Sequence, residues 1–291
     1  MSAIALGEPG ATLTDPELMP YPGSELTEDM REALDISERL IPGPEGAPDV
    51  RVLLYRPRAA TGALPLILSI HGGAFAMRPD NFPGGDAALA MLGAHVVSVD
   101  YRRVPEDPFP CGVEDCYAAL VWAVEVLDVD QARVVVTGPS AGGALSAAVT
   151  LMARDRGGPA VAFQALMIPV LDDRCDTTSM RQYHEAPLFG GGQARAMWDL
   201  YLGTQDRDKT SPYAAPARAE SLAGLPPAFI QVGGLDPLRD EGIAYATRLM
   251  AENVAVELYC APNQHHGLSE DPRTAAHARD LFHDAIRTAI A

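Results

Sequence analysis

Positive charge is scarce in this chain: 22 Lys plus Arg stand against 39 Asp plus Glu, a formal net charge of −17 and a pI near 4.7. So acidic a surface repels phosphate backbones and anionic lipid headgroups, which sets aside nucleic-acid and membrane-surface partners. Cysteine is sparse too. Cys111, Cys116, Cys175 and Cys260 lie scattered over 291 residues, and none stands in a CxxC pair. Reduced structural thiols are therefore expected, with a Cys111–Cys116 bridge as the minor alternative. The first residues, Met-Ser-Ala-Ile-Ala-Leu-Gly-Glu-Pro, lack the basic and long apolar regions of a signal peptide, so a cytoplasmic location is expected. Internal repeats and low-complexity tracts are absent. One uncharged stretch, residues 134–153, has the twenty residues of a spanning helix. Its centre, Gly138-Pro139-Ser140-Ala141-Gly142-Gly143, would break an isolated helix. Valines precede it and an alanine-rich run follows, which reads as a buried strand, a tight turn and a buried helix.

What is present is globular: 47% apolar and 21% charged residues at a mean hydropathy of zero, enough for one large domain or two small ones. Residues 1–48 are Pro-rich and irregular, with one helix expected from about Thr27 to Leu40. From Val50 strands and helices alternate. Strands are expected at 50–55, 66–70, 96–99, 134–137, 163–170, 228–232 and 254–259. Val113, Tyr117, Leu120, Val124 and Leu127 mark one helical face. Further helices are expected to about Arg154, over 194–202 and 240–252, and after Asp271-Pro272, an N-cap followed by an N1 proline. This last helix should bury Leu281, Phe282, Ala285 and Ile286. Continuous apolar strands alternating with helices argue a mostly parallel sheet covered on both faces. The rhythm breaks over 171–224, which reads as an insertion able to form a cap with the N-terminal arm.

Several residues carry chemistry. Gly138-Pro139-Ser140-Ala141-Gly142 fits G-x-S-x-G between a strand and a helix. A nucleophilic serine must stand on a strained turn, and flanking glycines let neighbouring chain pass without Cβ clashes. The helix N-terminus beside it favours developing negative charge. His71-Gly72-Gly73-Ala74 follows an apolar strand, and such a loop can turn two backbone N–H groups toward one point. A base and an orienting carboxylate are then required. Ser140, Asp236 and His266 occur in the chain order of an α/β-hydrolase triad. Asp240 competes for the acid and reads as a helix-start residue; His265 competes for the base. Adjacent histidines without an H-E-x-x-H or CxxC set do not make a metal site, so neither metal nor cofactor is expected.

The chain resembles the bacterial hormone-sensitive-lipase-like esterases, family IV of the α/β-hydrolase superfamily. The blocks that carry the resemblance are His71-Gly72-Gly73-Ala74-Phe75, Asp100-Tyr101-Arg102-Arg103-Val104-Pro105-Glu106 with Phe109-Pro110, and Gly138-Pro139-Ser140-Ala141-Gly142-Gly143. Pro169-Val170-Leu171-Asp172, Ser211-Pro212-Tyr213, Asp236-Pro237-Leu238-Arg239-Asp240 and His266-Gly267 follow in family order. The resemblance implies an α/β-hydrolase fold with a helical cap. Residues 1–48 would contribute an arm to the cap, 171–224 its insertion, and 49–170 with 225–291 the catalytic domain. It implies Ser140 as nucleophile, Asp236 as acid and His266 as base, the last because it precedes Gly267. Gly72, Gly73 and Ala141 would donate N–H groups to the oxyanion, and Glu106 would have a structural task.

Three positions depart from the family pattern. Pro139 stands where Asp is usual, Ala74 replaces a third glycine while keeping its N–H, and Leu268 replaces a common Phe. The implied activity is hydrolysis of short-to-medium acyl esters through an acyl-enzyme, on a small-molecule ester partner. Amidase, lactonase or acyltransferase activity runs on the same machinery. Plant gibberellin receptors share the fold without the histidine, which makes a non-catalytic receptor the alternative from another class. A homodimer through the sheet's far edge, near residues 254–259, is also implied.

Overall fold

The structure, a computed structural model, describes residues 24–269 and 271–291. It opens with α1 (Glu28–Ala33), whose N-terminus is capped by Thr27 Oγ1 accepting from Met30 N, and continues into β1 (Leu34–Ile41). The helix expected to reach Leu40 thus ends at Ala33. From Leu34 the chain pairs residue by residue with β2 (Val50–Pro57), and β1 covers what would otherwise be an unpaired edge of β2. Residues 1–23 of the expected arm lie outside the described residues, and residues 34–41 are part of the sheet.

The chain then follows the alternation expected from Val50 onward. β3 (Leu64–Ser69), α2 (Pro83–Ala90), β4 (His95–Asp100), α3 (Cys111–Val126), β5 (Val129–Pro139), α4 (Ala141–Asp155) and β6 (Phe163–Met167) come first. The break brings α5 (Thr178–Gln182) and α6 (Gly191–Leu202), and the alternation resumes with β7 (Ala228–Gly233), α7 (Arg239–Ala251) and β8 (Val256–Ala261). A short hairpin, β9 (Gln264–His265) with β10 (Leu268–Ser269), precedes α8 (Pro272–Ala289). β5 begins earlier than its valines suggest, across a register shift against β3, and β6 stops at Met167 because Ile168 turns to φ 43°. Asp271 caps α8 by accepting from Arg273 N, with Pro272 as first helical residue. α8 buries Phe282 and Ile286, while Leu281 and Ala285 are half-buried.

The eight-stranded sheet has the order β1-β2-β4-β3-β5-β6-β7-β8; β2 pairs antiparallel with both neighbours and the strands from β4 to β8 are parallel. Alternate residues supply its two faces. Ile67, Val135 and Phe229 pack with α2 and α8, whereas Leu68, Val136 and Ile230 pack toward α3, α4 and α7. Every residue of α4 from Ala141 to Ala153 is buried, so the uncharged stretch is strand, elbow and core helix. Among the described residues no helix is long and apolar enough to cross a membrane. All four cysteines are free thiols.

Asp86 of α2 is buried and its Oδ1 accepts a 2.5 Å hydrogen bond from Ser69 Oγ. Burial pushes its carboxyl from 3.8 up to about 6. A raised folded value stabilises the fold fully below the unfolded value of 3.8, and that contribution is lost as pH rises through about 6. Asp86→Asn removes the titration. Above neutrality the variant should be more stable than the parent protein by on the order of 3 kcal/mol, a difference that closes on acidification. Thermal melts of both proteins at about pH 8, 6 and 4 check this.

Candidate active site

The C-terminal ends of β3, β5, β7 and β8 open on one side of the sheet, where parallel sheets place their sites. β3 and β5 are neighbours, so the glycine loop after one lies against the turn after the other. Ser140 makes that turn at φ 55° and ψ −119°, a conformation that costs a side-chain-bearing residue about 1–3 kcal/mol. Its backbone is held firmly: Ser140 N donates to Met167 O at 2.8 Å, and Ser140 O accepts from Ala144 N and Val170 N at 3.1 Å each.

The glycines on either side explain the motif's spacing. A Cβ on Gly138 would stand 2.3 Å from Ile70 O, and one on Gly142 only 1.9 Å from the same oxygen. Both must be bare for the end of β3 to pass the elbow. Pro139 closes β5, where its fixed φ continues extended chain. Ala141 opens α4, and the N–H of a first helical residue has no acceptor within its helix.

The structure brings Ser140, His266 and Asp236 into one row. His266 Nε2 lies 2.8 Å from Ser140 Oγ, and His266 Nδ1 lies 2.9 Å from Asp236 Oδ2. Asp236 is fully buried, and its second oxygen accepts from Leu238 N at 2.9 Å. This geometry suits the tautomer in which Nδ1 donates to the carboxylate and Nε2 accepts from the serine hydroxyl. The loops bearing acid and imidazole are tied together: Gly234 N donates to Ala261 O, and Leu235 N to Gln264 O. Their approach leaves no room for a Cβ on Gly233, which would sit 2.5 Å from Gln264 O.

The competitors point elsewhere. Asp240 Oδ2 accepts from Ser179 N at 2.7 Å and its other oxygen pairs with Arg239, joining α7 to α5. His265 lies in β9, with Nδ1 buried and without a partner among the described residues. Glu106 is exposed.

Gly72 rests against the elbow, where a Cβ would come 2.8 Å from Pro139 O and 3.5 Å from Ser140 Cβ. Gly73 follows at φ 97°. Among the described residues no acceptor takes the N–H of Gly72 or of Gly73. Their loop is anchored from behind by His71, whose Nδ1 donates to Gly72 O at 2.8 Å and whose ring stacks on Tyr101 at 4.2 Å. Tyr101 in turn donates to His71 O at 3.1 Å. Burial pushes the imidazole of His71 down to about 4, which keeps it neutral at ordinary pH.

Three contacts have no sequence signal of their own. Phe189 lies against the His266 ring, centroids 4.6 Å apart, yet in the sequence it is one apolar residue in a Gly-rich segment. Phe75 stacks on Tyr201 of α6. Buried Glu241 accepts from Leu171 N and Asp172 N, pinning the start of residues 171–224, although its place after Asp240 suggests an ordinary acid in the first turn of a helix.

A serine on a strand–elbow–helix turn, hydrogen-bonded to a histidine that is held by a buried carboxylate on a mostly parallel sheet, defines an α/β hydrolase. In agreement, a profile of the family described as alpha/beta hydrolase fold matches residues 67–270. The chain is similar to esterase LipI of Mycobacterium tuberculosis, 37% identical over 239 residues that cover 80% of this chain and 75% of that one. Carboxylesterase NlhH of the same species is 37% identical over 262 residues, 87% of this chain and 78% of the relative. Among solved structures, a bacterial heroin esterase superposes with a TM-score of 0.85 at 39% identity, over 89% of this chain and 86% of that one. The chain belongs to the hormone-sensitive-lipase-like, family IV esterases of the α/β-hydrolase superfamily.

Proposed function

We propose that this protein is a serine carboxylic ester hydrolase working through an acyl-enzyme, with Ser140 as nucleophile, His266 as base and Asp236 as orienting acid. The observation that carries the reading is the unbroken row from Ser140 Oγ through both nitrogens of His266 to buried Asp236. His266 Nε2 takes the hydroxyl proton as Oγ attacks the ester carbonyl. The carbonyl oxygen gains negative charge, and the N–H groups of Gly72, Gly73 and Ala141 receive it. Collapse of the tetrahedral intermediate breaks the bond to the alcohol oxygen, to which His266 returns its proton. Water, deprotonated by the same nitrogen, then attacks the acyl carbon and releases the acid, restoring Ser140. Asp236 stays ionised and stabilises the imidazolium that forms twice in each cycle.

Residues 171–224 form the cap of this reading: α5 is fastened to α7 through Ser179 and Asp240, and Phe189 covers the imidazole. Short-to-medium acyl esters are the substrates in this reading, in keeping with the family resemblance. β8 is an outer strand of the sheet and the one along which two copies would pair as a dimer. p-Nitrophenyl esters of two to twelve acyl carbons test the reading. Turnover should peak at the short chains and decline toward the long ones. A folded protein that hydrolyses none of them would overturn it.

A further inference from the structure

The loop that presents Gly72 and Gly73 is held in an improbable shape. Gly73, Ala74 and Phe75 take φ values of 97°, 54° and 61°, three successive residues in the left-handed region, where Ala and Phe are disfavoured. Such a run persists only where its surroundings over-determine it. Backbone bonds supply part of the restraint: Ala76 N and Met77 N donate to Gly73 O, and Val104 N donates to Phe75 O. The rest comes from outside the sheet. The Phe75 ring lies flat on that of Tyr201, with centroids 3.8 Å apart and planes 5° from parallel. Trp198 and Phe109 close around the pair, and Phe109 N donates to Tyr201 O. Phe75 and Tyr201 are both buried.

We propose that Tyr201 is a positioning residue for ester hydrolysis. By stacking on Phe75 it fixes the left-handed run and so aims the N–H groups of Gly72 and Gly73 at the developing oxyanion. The inference rests on the reading of those two glycines as oxyanion donors. It makes α6 part of the catalytic machinery's support as well as part of a cover. The Tyr201 hydroxyl is buried and has no partner among the described residues, so the work is done by the ring face and not by a hydrogen bond.

The test compares Tyr201→Phe, Tyr201→Leu and Tyr201→Met with the parent enzyme, well below each melting temperature. Tyr201→Met keeps much of the apolar volume without the planar face and serves where Tyr201→Leu fails to fold. kcat and KM are measured on p-nitrophenyl butyrate. Affinity is measured for an aryl trifluoromethyl ketone, which adds reversibly to a serine and places an oxyanion in the hole. The Phe variant should match the parent in every readout. In the aliphatic variants kcat should fall about 10- to 100-fold with KM nearly unchanged, and ketone affinity should weaken by the same factor, as expected for donors displaced by a fraction of an ångström to an ångström. Folded aliphatic variants with parental kcat, or a loss confined to KM, would overturn the role of Tyr201 while leaving the hydrolase reading intact. A Phe variant as impaired as the aliphatic ones would also overturn it. A parent protein inert toward the butyrate ester and unable to bind the ketone would overturn both.

Discussion

Ser140→Ala is expected to lower kcat/KM on simple esters by about 10⁴–10⁶-fold while the protein stays folded. The size follows from the site's construction. Oγ is the atom that would bond to the acyl carbon, and water has no comparable place in the row. The intact fold follows from how little else the hydroxyl does. Its side-chain hydrogen bond runs to His266 Nε2, while the elbow is held by the backbone of Ser140 to Met167, Ala144 and Val170. Residual turnover well above the uncatalysed rate remains consistent with this account, since donors and bound substrate still act without the nucleophile. Steady-state kinetics on p-nitrophenyl acetate beside circular dichroism of both proteins check it. Parental turnover in the variant would assign the chemistry to another residue.

Among the described glycines, Gly142 has the shortest would-be Cβ approach, and Gly142→Ala should be severely damaging. Its Cβ would stand 1.9 Å from Ile70 O and 2.7 Å from His71 O, both backbone atoms that no rotamer change can move. Helix propensity alone would favour alanine there by about 1 kcal/mol, far less than the overlap costs. A destabilisation on the order of 3–5 kcal/mol is expected. Relief requires the end of β3 to shift, and Ile70 and His71 lead directly into Gly72 and Gly73, so any folded fraction should also lose kcat. Gly85→Ala is the matched control. Gly85 lies in α2 with nothing within 4 Å of its would-be Cβ, and its substitution should leave activity unchanged and raise stability slightly. Urea unfolding and kcat for the two variants separate crowding at the elbow from the general effect of replacing glycine.

The legible parts of this fold are those whose cause is local. Asp271-Pro272 starts a helix because capping and a fixed φ act within one turn. The valines before Gly138 belong to a buried strand because a run so apolar has no exposed face to offer. The stretch from Leu34 to Leu40, expected as helix and found within strand β1, takes its state from β2, and nothing within the segment announces that partner. The same division holds at the site. G-x-S-x-G and the glycine loop can be seen because a strained turn and exposed N–H groups demand particular residue types. The choice of Asp236 over Asp240 is not settled by spacing. In space it rests on α7, whose first turn sends Asp240 toward Ser179 while Asp236 remains on the loop facing His266. Phe189 and Tyr201 are invisible in the sequence for a further reason. Ordinary aromatic residues acquire a role only when the folded chain brings them against His266 and Phe75.

The central claim, that Ser140 is the activated nucleophile, is tested most directly by treating the protein with a fluorophosphonate and locating the adduct by mass spectrometry. A single adduct is expected, on the peptide that contains Ser140, appearing in step with the loss of ester turnover and absent from Ser140→Ala. Inhibition with the label on another residue, or continued turnover once Ser140 is fully labelled, would contradict it.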